Sequence, residues 1–167
     1  INIINNSKPV IAEVSGIATA AGCQLVASCD LAYASENSKF ATPGVNIGLF
    51  CSTPMVALSR VVKSKHSMEM LLTGDFIDAN KAKNIGLINN YFSEDSLVDE
   101  IRQMANKIAN KSSQTVKIGK KAFYNQAEMK ISDAYKYASE IMIKNMMNQV
   151  SEEGIAAFLE KREPNWS

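Results

Sequence analysis

The stretch "GIATAAGCQLVASCD", Gly16 to Asp30, decides the fold. It follows "PVIAEVSG", whose β-branched residues after Pro9 and terminal Gly16 predict a buried strand. "AAGCQLVASC" has no β-branched run and is apolar almost all round, which predicts a fully buried helix starting near Ala21. "DLAYAS" and "KFATPG" read as two short extended pieces across the turn "ENS". Strand, helix, strand in this order implies a βαβ crossover over a largely parallel sheet, and so an α/β fold. The first N–H groups of a helix have no internal partner and favour an anion. Small residues at Ala20, Ala21 and Gly22 leave two readings open. A ligand approaches the backbone closely there, or the helix packs tightly on a strand.

From Pro54 onward the chain is mostly helical. "TPMVALSRVV" has its proline near a helix start, where the missing N–H costs nothing, and "SKHSMEMLLTG" stops at Gly74. "IDANKAKNIGL" predicts a short helix closed at Gly86. Ser96 is a candidate cap for a helix with Leu97, Ile101, Met104 and Ile108 on one face. Helices are expected from about Ser113 to Gln126, from Ser132 to Gln149, and from Ser151 to a basic end at Lys161 and Arg162. Met142, Met146 and Met147 suit a helix or subunit seam, and Lys120–Lys121 a solvated helix face.

The 167 residues suffice for one ordinary domain, with 46% hydrophobic and 21% charged residues. A net charge of +1 gives no bulk electrostatic case for nucleic acid or an anionic membrane. No apolar run is long enough to span a bilayer. The start at Ile1 rather than Met suggests an N-terminally truncated chain, with any targeting segment upstream. Three cysteines, Cys23, Cys29 and Cys51, at irregular spacing argue against a disulfide framework and against a metal site. Cys23 and Cys29 are expected to be packing residues. The lone His66 reads as a surface residue, so no Ser-His-Asp or Cys-His constellation can be assembled.

Three segments carry a resemblance: "KPVIAEVSGIATAAGCQLVASCDLAYASENSKFATPGVNIG", "MLLTGDFIDANKAKNIGLINNYF" and "EGIAAFLEKREPNW". Together they resemble the enoyl-CoA hydratase/isomerase, or crotonase, family. The resemblance implies a crotonase-like ββα spiral followed by a helical trimerisation region. Residues 1–95 would form the C-terminal part of the spiral and residues 96–167 the oligomerisation region. It implies an acyl-CoA thioester as ligand, with coenzyme A entering as part of the substrate and no further cofactor. The expected partners are copies of the chain, as a homotrimer or dimer of trimers, without nucleic acid or membrane. The expected compartment is the cytoplasm in a bacterium or the mitochondrion in a eukaryote. Two backbone N–H groups form the family's oxyanion hole. One maps to Ala21, between Ala20 and Gly22; the other lies upstream of Ile1. Phe158 and Lys161 resemble positions that approach the CoA nucleotide, often across a subunit boundary.

The family's hydratases use two glutamates, one as base at oxygen and one supplying a proton at carbon. Their positions here are Gln24 and Gly44. Gln24 can orient water but cannot exchange a proton at neutral pH, and Gly44 has no side chain. Asn46, Cys51, Ser52 and Thr53 follow Gly44; of these only Cys51 could serve as a nucleophile, and loop packing is the simpler reading. Three functions stay open: an acyl-CoA enzyme that relies mainly on the oxyanion hole, as in decarboxylation or hydrolysis; a non-catalytic acyl-CoA-binding or scaffold protein; and a nominal hydratase of fatty-acid metabolism, a lyase or isomerase by family. Gln24 is expected to fill the place of the lost acid and to hydrogen-bond to backbone, water or ligand. Restoring glutamate at both positions is expected to introduce crotonyl-CoA hydration, with Gly44 the riskier change.

Overall fold

After one helical turn, α1 (Asn2–Asn5), the run beyond Pro9 extends as β1 (Ile11–Val14) and then β2 (Ile17–Thr19). Gly16 joins them with φ +102°, a conformation that residues with a Cβ rarely adopt, and there the chain crosses from one sheet to another. α2 (Ala21–Ser28), β3 (Leu31–Ser35) and β4 (Lys39–Ala41) follow. β1 pairs in parallel with β3, setting Val14 opposite Ala34, and β2 pairs in parallel with β4, setting Ala18 opposite Phe40. The expected crossover is therefore doubled, with α2 connecting both ladders. β6 (Asn90–Phe92) extends the first sheet in parallel; β5 (Ile77–Asp78) lies antiparallel on β4.

This computed structural model describes residues 1–166. Its contacts divide the chain into two units, Val10–Ala105 and Ile1–Pro9 with Asn106–Ser167. In the first, a 3₁₀ turn (Pro43–Ile47) leads into α3 (Ser52–Val61), α4 (Ser64–Thr73) and α5 (Ala79–Asn84). Gly74 closes α4 at φ +68°, and the Asp78 side chain caps α5 by accepting the Lys81 N–H at 2.7 Å. Phe40, Leu58, Met70 and Leu71 form the centre of the core with Cys23, Val26 and Ala27 of α2. α2 is not buried all round: those three residues share one face, while Leu25 on the other is 58% exposed. Apolar composition fixed the inward face but could not tell that the outward one is open.

α6 (Glu94–Ala109) packs Leu97, Ile101 and Met104 against Tyr33 and Phe92. Its cap position is Ser93 rather than Ser96: the N–H groups of Ser96 and Leu97 both donate to the Ser93 carbonyl, and Ser96 sits in the first turn.

The second unit holds α1, α7 (Ser113–Ala127), α8 (Ile131–Met146) and α9 (Gln149–Glu160). Ser112 caps α7 by accepting the Thr115 N–H at 3.2 Å. Lys120 is not a solvated face residue: its Nζ donates to the carbonyls of Ile3 (2.9 Å) and Lys8 (3.1 Å), pinning the first residues against α7. After α9 the chain turns at Lys161, whose φ is +56°. Glu153 then accepts from Arg162 through both carboxylate oxygens (2.6 and 2.9 Å) and from the Asn165 N–H (2.7 Å).

Those bonds, the Arg162 pair foremost, hold the Glu153 carboxyl down at about 2, against an ordinary 4.5. A carboxyl depressed in the folded state contributes stability that is complete above 4.5 and is lost as pH falls toward 2. The tail is therefore expected to release in that acid window. Trp166 fluorescence should report it, and Glu153→Gln should remove the transition.

Candidate functional site

The site begins with a strained residue. Ala20 prolongs the β2–β4 ladder by donating its N–H to the Ala41 carbonyl at 3.0 Å. Its own carbonyl accepts the Gln24 N–H at 3.0 Å, the first bond of α2. One residue must finish a strand and start a helix, and it does so at φ 48°, ψ −111°. Such a conformation costs a non-glycine residue about 1–3 kcal/mol and persists only where the surroundings enforce it. Ala20→Gly should therefore be neutral or stabilising by up to about 1 kcal/mol, and Ala20→Val should cost about 1–3 kcal/mol, read from denaturant midpoints.

The consequence is a set of open donors. Among the described residues, the N–H groups of Ala21, Gly22 and Cys23 have no backbone acceptor. Ala21 is exposed, and Ala20 and Gly22 are half-buried. A Cβ built on Gly22 would meet only the Ala18 methyl, at an ordinary 3.9 Å, so packing within the chain does not demand glycine there.

Gln24 is half-buried, one turn into α2, and its side-chain amide makes no hydrogen bond among the described residues. Of the expected partners, backbone, water or ligand, the backbone supplies none to the amide; the Gln24 main chain is engaged through its N–H on the Ala20 carbonyl (3.0 Å) and its carbonyl under Ser28 Oγ (2.7 Å). Gly44 lies in the 3₁₀ turn, donates its N–H to Cys51 Sγ (3.3 Å) and accepts the Leu49 N–H (2.9 Å). A Cβ on Gly44 would stand 2.5 Å from the Leu49 carbonyl oxygen and 2.9 Å from Cys51 Sγ. The room a side chain would need is filled by the chain itself.

Cys51 is buried and fills the loop, whereas Asn46, Ser52 and Thr53 are exposed. Cys23 is also buried; burial, and then Cys51, push its thiol up to about 12, so it stays protonated and unreactive at neutral pH. Cys29 is half-buried rather than buried. His66 is on the surface, 3.7 Å from the Glu69 carboxylate. Among the described residues no group of three His, Cys, Asp or Glu side chains could hold a metal ion, and no helix is long and apolar enough to cross a membrane. Sequence reasoning missed Thr42, which is fully buried with a hydroxyl lacking any partner among the described residues. Phe158 and Lys161 belong to the other unit, Phe158 being 82% exposed.

The chain matches the Enoyl-CoA hydratase/isomerase family model over residues 1–167. It is 52% identical over 159 residues to enoyl-CoA hydratase domain-containing protein 3, mitochondrial, of Xenopus laevis, covering 95% of this chain and 54% of that protein. Two crystal structures superpose at a TM-score of 0.96. The enoyl-CoA hydratase of Mycobacterium smegmatis is 52% identical, with 98% of this chain and 64% of that one covered. The human enoyl coenzyme A hydratase domain-containing protein 3 is 51% identical, with 99% and 65% covered. The chain thus spans about half the length of the curated relatives it matches.

Proposed function

The chain belongs to the enoyl-CoA hydratase/isomerase family and has its crotonase fold, and from its own geometry we propose that it holds an acyl-CoA thioester at the start of α2 without the two-carboxylate route to hydration. The observation that carries this is the N–H of Ala21, an exposed residue, left without a backbone acceptor beside the strained Ala20. A fixed donor there meets the thioester oxygen as it gains negative charge, at no cost of reorganisation. Gln24 stands where a base is needed and offers only a neutral amide. Gly44 offers nothing, and the loop behind it is closed.

The reactions that fit need charge stabilisation at the thioester carbonyl more than proton shuttling, such as decarboxylation or hydrolysis. A non-catalytic acyl-CoA binder is the second reading, favoured by the closure of the Leu49 carbonyl and Cys51 over Gly44. The exposed apolar residues Met142, Ile143, Met147 and Leu159 of the helical unit support its use in oligomer contacts, as a trimer or dimer of trimers. Phe158 and Lys161 would then meet the CoA nucleotide of a neighbouring copy. Relatives from Xenopus laevis and Homo sapiens are named mitochondrial, and this chain would share that compartment if its source is a eukaryote.

The test is a panel of acyl-CoA esters presented to the full-length protein. Saturable binding with crotonyl-CoA hydration at background supports the proposal, and turnover of any other ester separates the two readings. Hydration at an ordinary enzyme rate, with Gln24 and Gly44 in place, would overturn it.

A further inference from the structure

We propose that the groove between α7 and the segment 4–7 binds a small phosphate-bearing ligand. The groove holds about 320 Å³ and is lined by Asn5, Asn6, Ser7, Lys117, Lys121 and Tyr124, among others. That volume is at the small end of ligand pockets, which run from about 300 to 1,000 Å³.

The charge in the groove is uncompensated. Lys117 and Lys121 stand four residues apart on α7, hence on one face, where like charges mildly destabilise a helix. Neither makes an ion pair among the described residues. α7 contains three lysines and no Asp or Glu, and residues 1–9 add Lys8 and no acid. The third lysine, Lys120, is spent on the Ile3 and Lys8 carbonyls, and this holds the opposite wall in place before any ligand arrives.

Neutral donors complete the site. The Asn6 side-chain oxygen accepts the Lys8 N–H at 2.9 Å, which leaves the Asn6 amide NH₂ to donate elsewhere. Asn5 and Ser7 add an amide and a hydroxyl on the same wall. Two ammonium groups facing neutral donors suit an oxyanion of charge near −2 with several acceptor oxygens, which is what a phosphate or diphosphate presents.

The test uses inorganic pyrophosphate titrated into the full-length protein by calorimetry. The expected result is one saturable site per chain that weakens with added salt. Affinity should fall about tenfold in the Lys117→Gln/Lys121→Gln double variant, two exposed cation contacts being lost, and less in Lys117→Gln alone. An unchanged melting temperature confirms that the variants fold. Coenzyme A added in competition identifies the source. Displacement of pyrophosphate assigns the groove to the phosphates of the acyl carrier, and no displacement assigns it to a separate phosphorylated molecule. Absence of binding at millimolar pyrophosphate, or equal affinity in the double variant, would overturn the proposal.

Discussion

Gly44→Glu is expected to destabilise the protein by about 1–3 kcal/mol and to install no hydratase, because its first side-chain atom already has no room. A Cβ there lies 2.5 Å from the Leu49 carbonyl oxygen, a backbone atom, and 2.9 Å from Cys51 Sγ. Both are tied to Gly44, the Leu49 N–H by its bond to the Gly44 carbonyl and Cys51 by the Gly44 N–H. Relief requires the loop from Gly44 to Cys51 to open. Gly44→Ala should thus show most of the loss, seen as a shifted urea midpoint with an unchanged slope. Gln24→Glu is close in shape and should cost much less. The double variant should hydrate crotonyl-CoA no faster than Gln24→Glu alone, in contrast to the simple rescue expected from the sequence. A stable Gly44→Ala protein would show that the loop yields easily and would reopen the rescue.

Legibility in the sequence followed the range of the interaction. The start of α2 at Ala21 could be read locally, from a strand ending near small residues and an apolar run without β-branching. The strain at Ala20 could not, because alanine gives no sign of a positive φ; it arises from the Ala41 carbonyl holding one end of the residue. That residue 44 carries no side chain was visible, but the closure behind it depends on Leu49 and Cys51 folding back over the turn. Leu25 looked as buried as Val26, since composition does not say which side of a helix has a neighbour. Lys120 and Lys121 looked equivalent, yet adjacent helical residues point about 100° apart, and only Lys120 reaches the carbonyls of Ile3 and Lys8.

If the proposed thioester site lies at Ala21, replacing that residue by lactic acid, which turns one amide into an ester, should cripple its activity while leaving the fold in place. The substitution deletes the N–H and keeps the methyl. That N–H bonds to nothing in the backbone, so the helix loses no bond of its own. The one structural cost is a weaker acceptor at the Ala20 carbonyl, which receives the Gln24 N–H, a penalty of about 1 kcal/mol or less. Loss of one oxyanion donor typically lowers turnover about 10²–10³-fold, so the fall in rate should far exceed the fall in stability. Substitution at Gln24 by alanine should do much less, since the Gln24 amide has no partner to lose among the described residues.

The carbonyl itself reports the contact most directly. An acyl-CoA labelled with ¹³C at the thioester carbon, bound to the full-length protein, has an infrared carbonyl stretch that falls in frequency as a hydrogen bond polarises it. The expected result is a downshift on binding to the native protein that is lost when residue 21 is lactic acid, with the ester still bound. A carbonyl that binds unshifted, or a downshift that survives the loss of the Ala21 N–H, would contradict it.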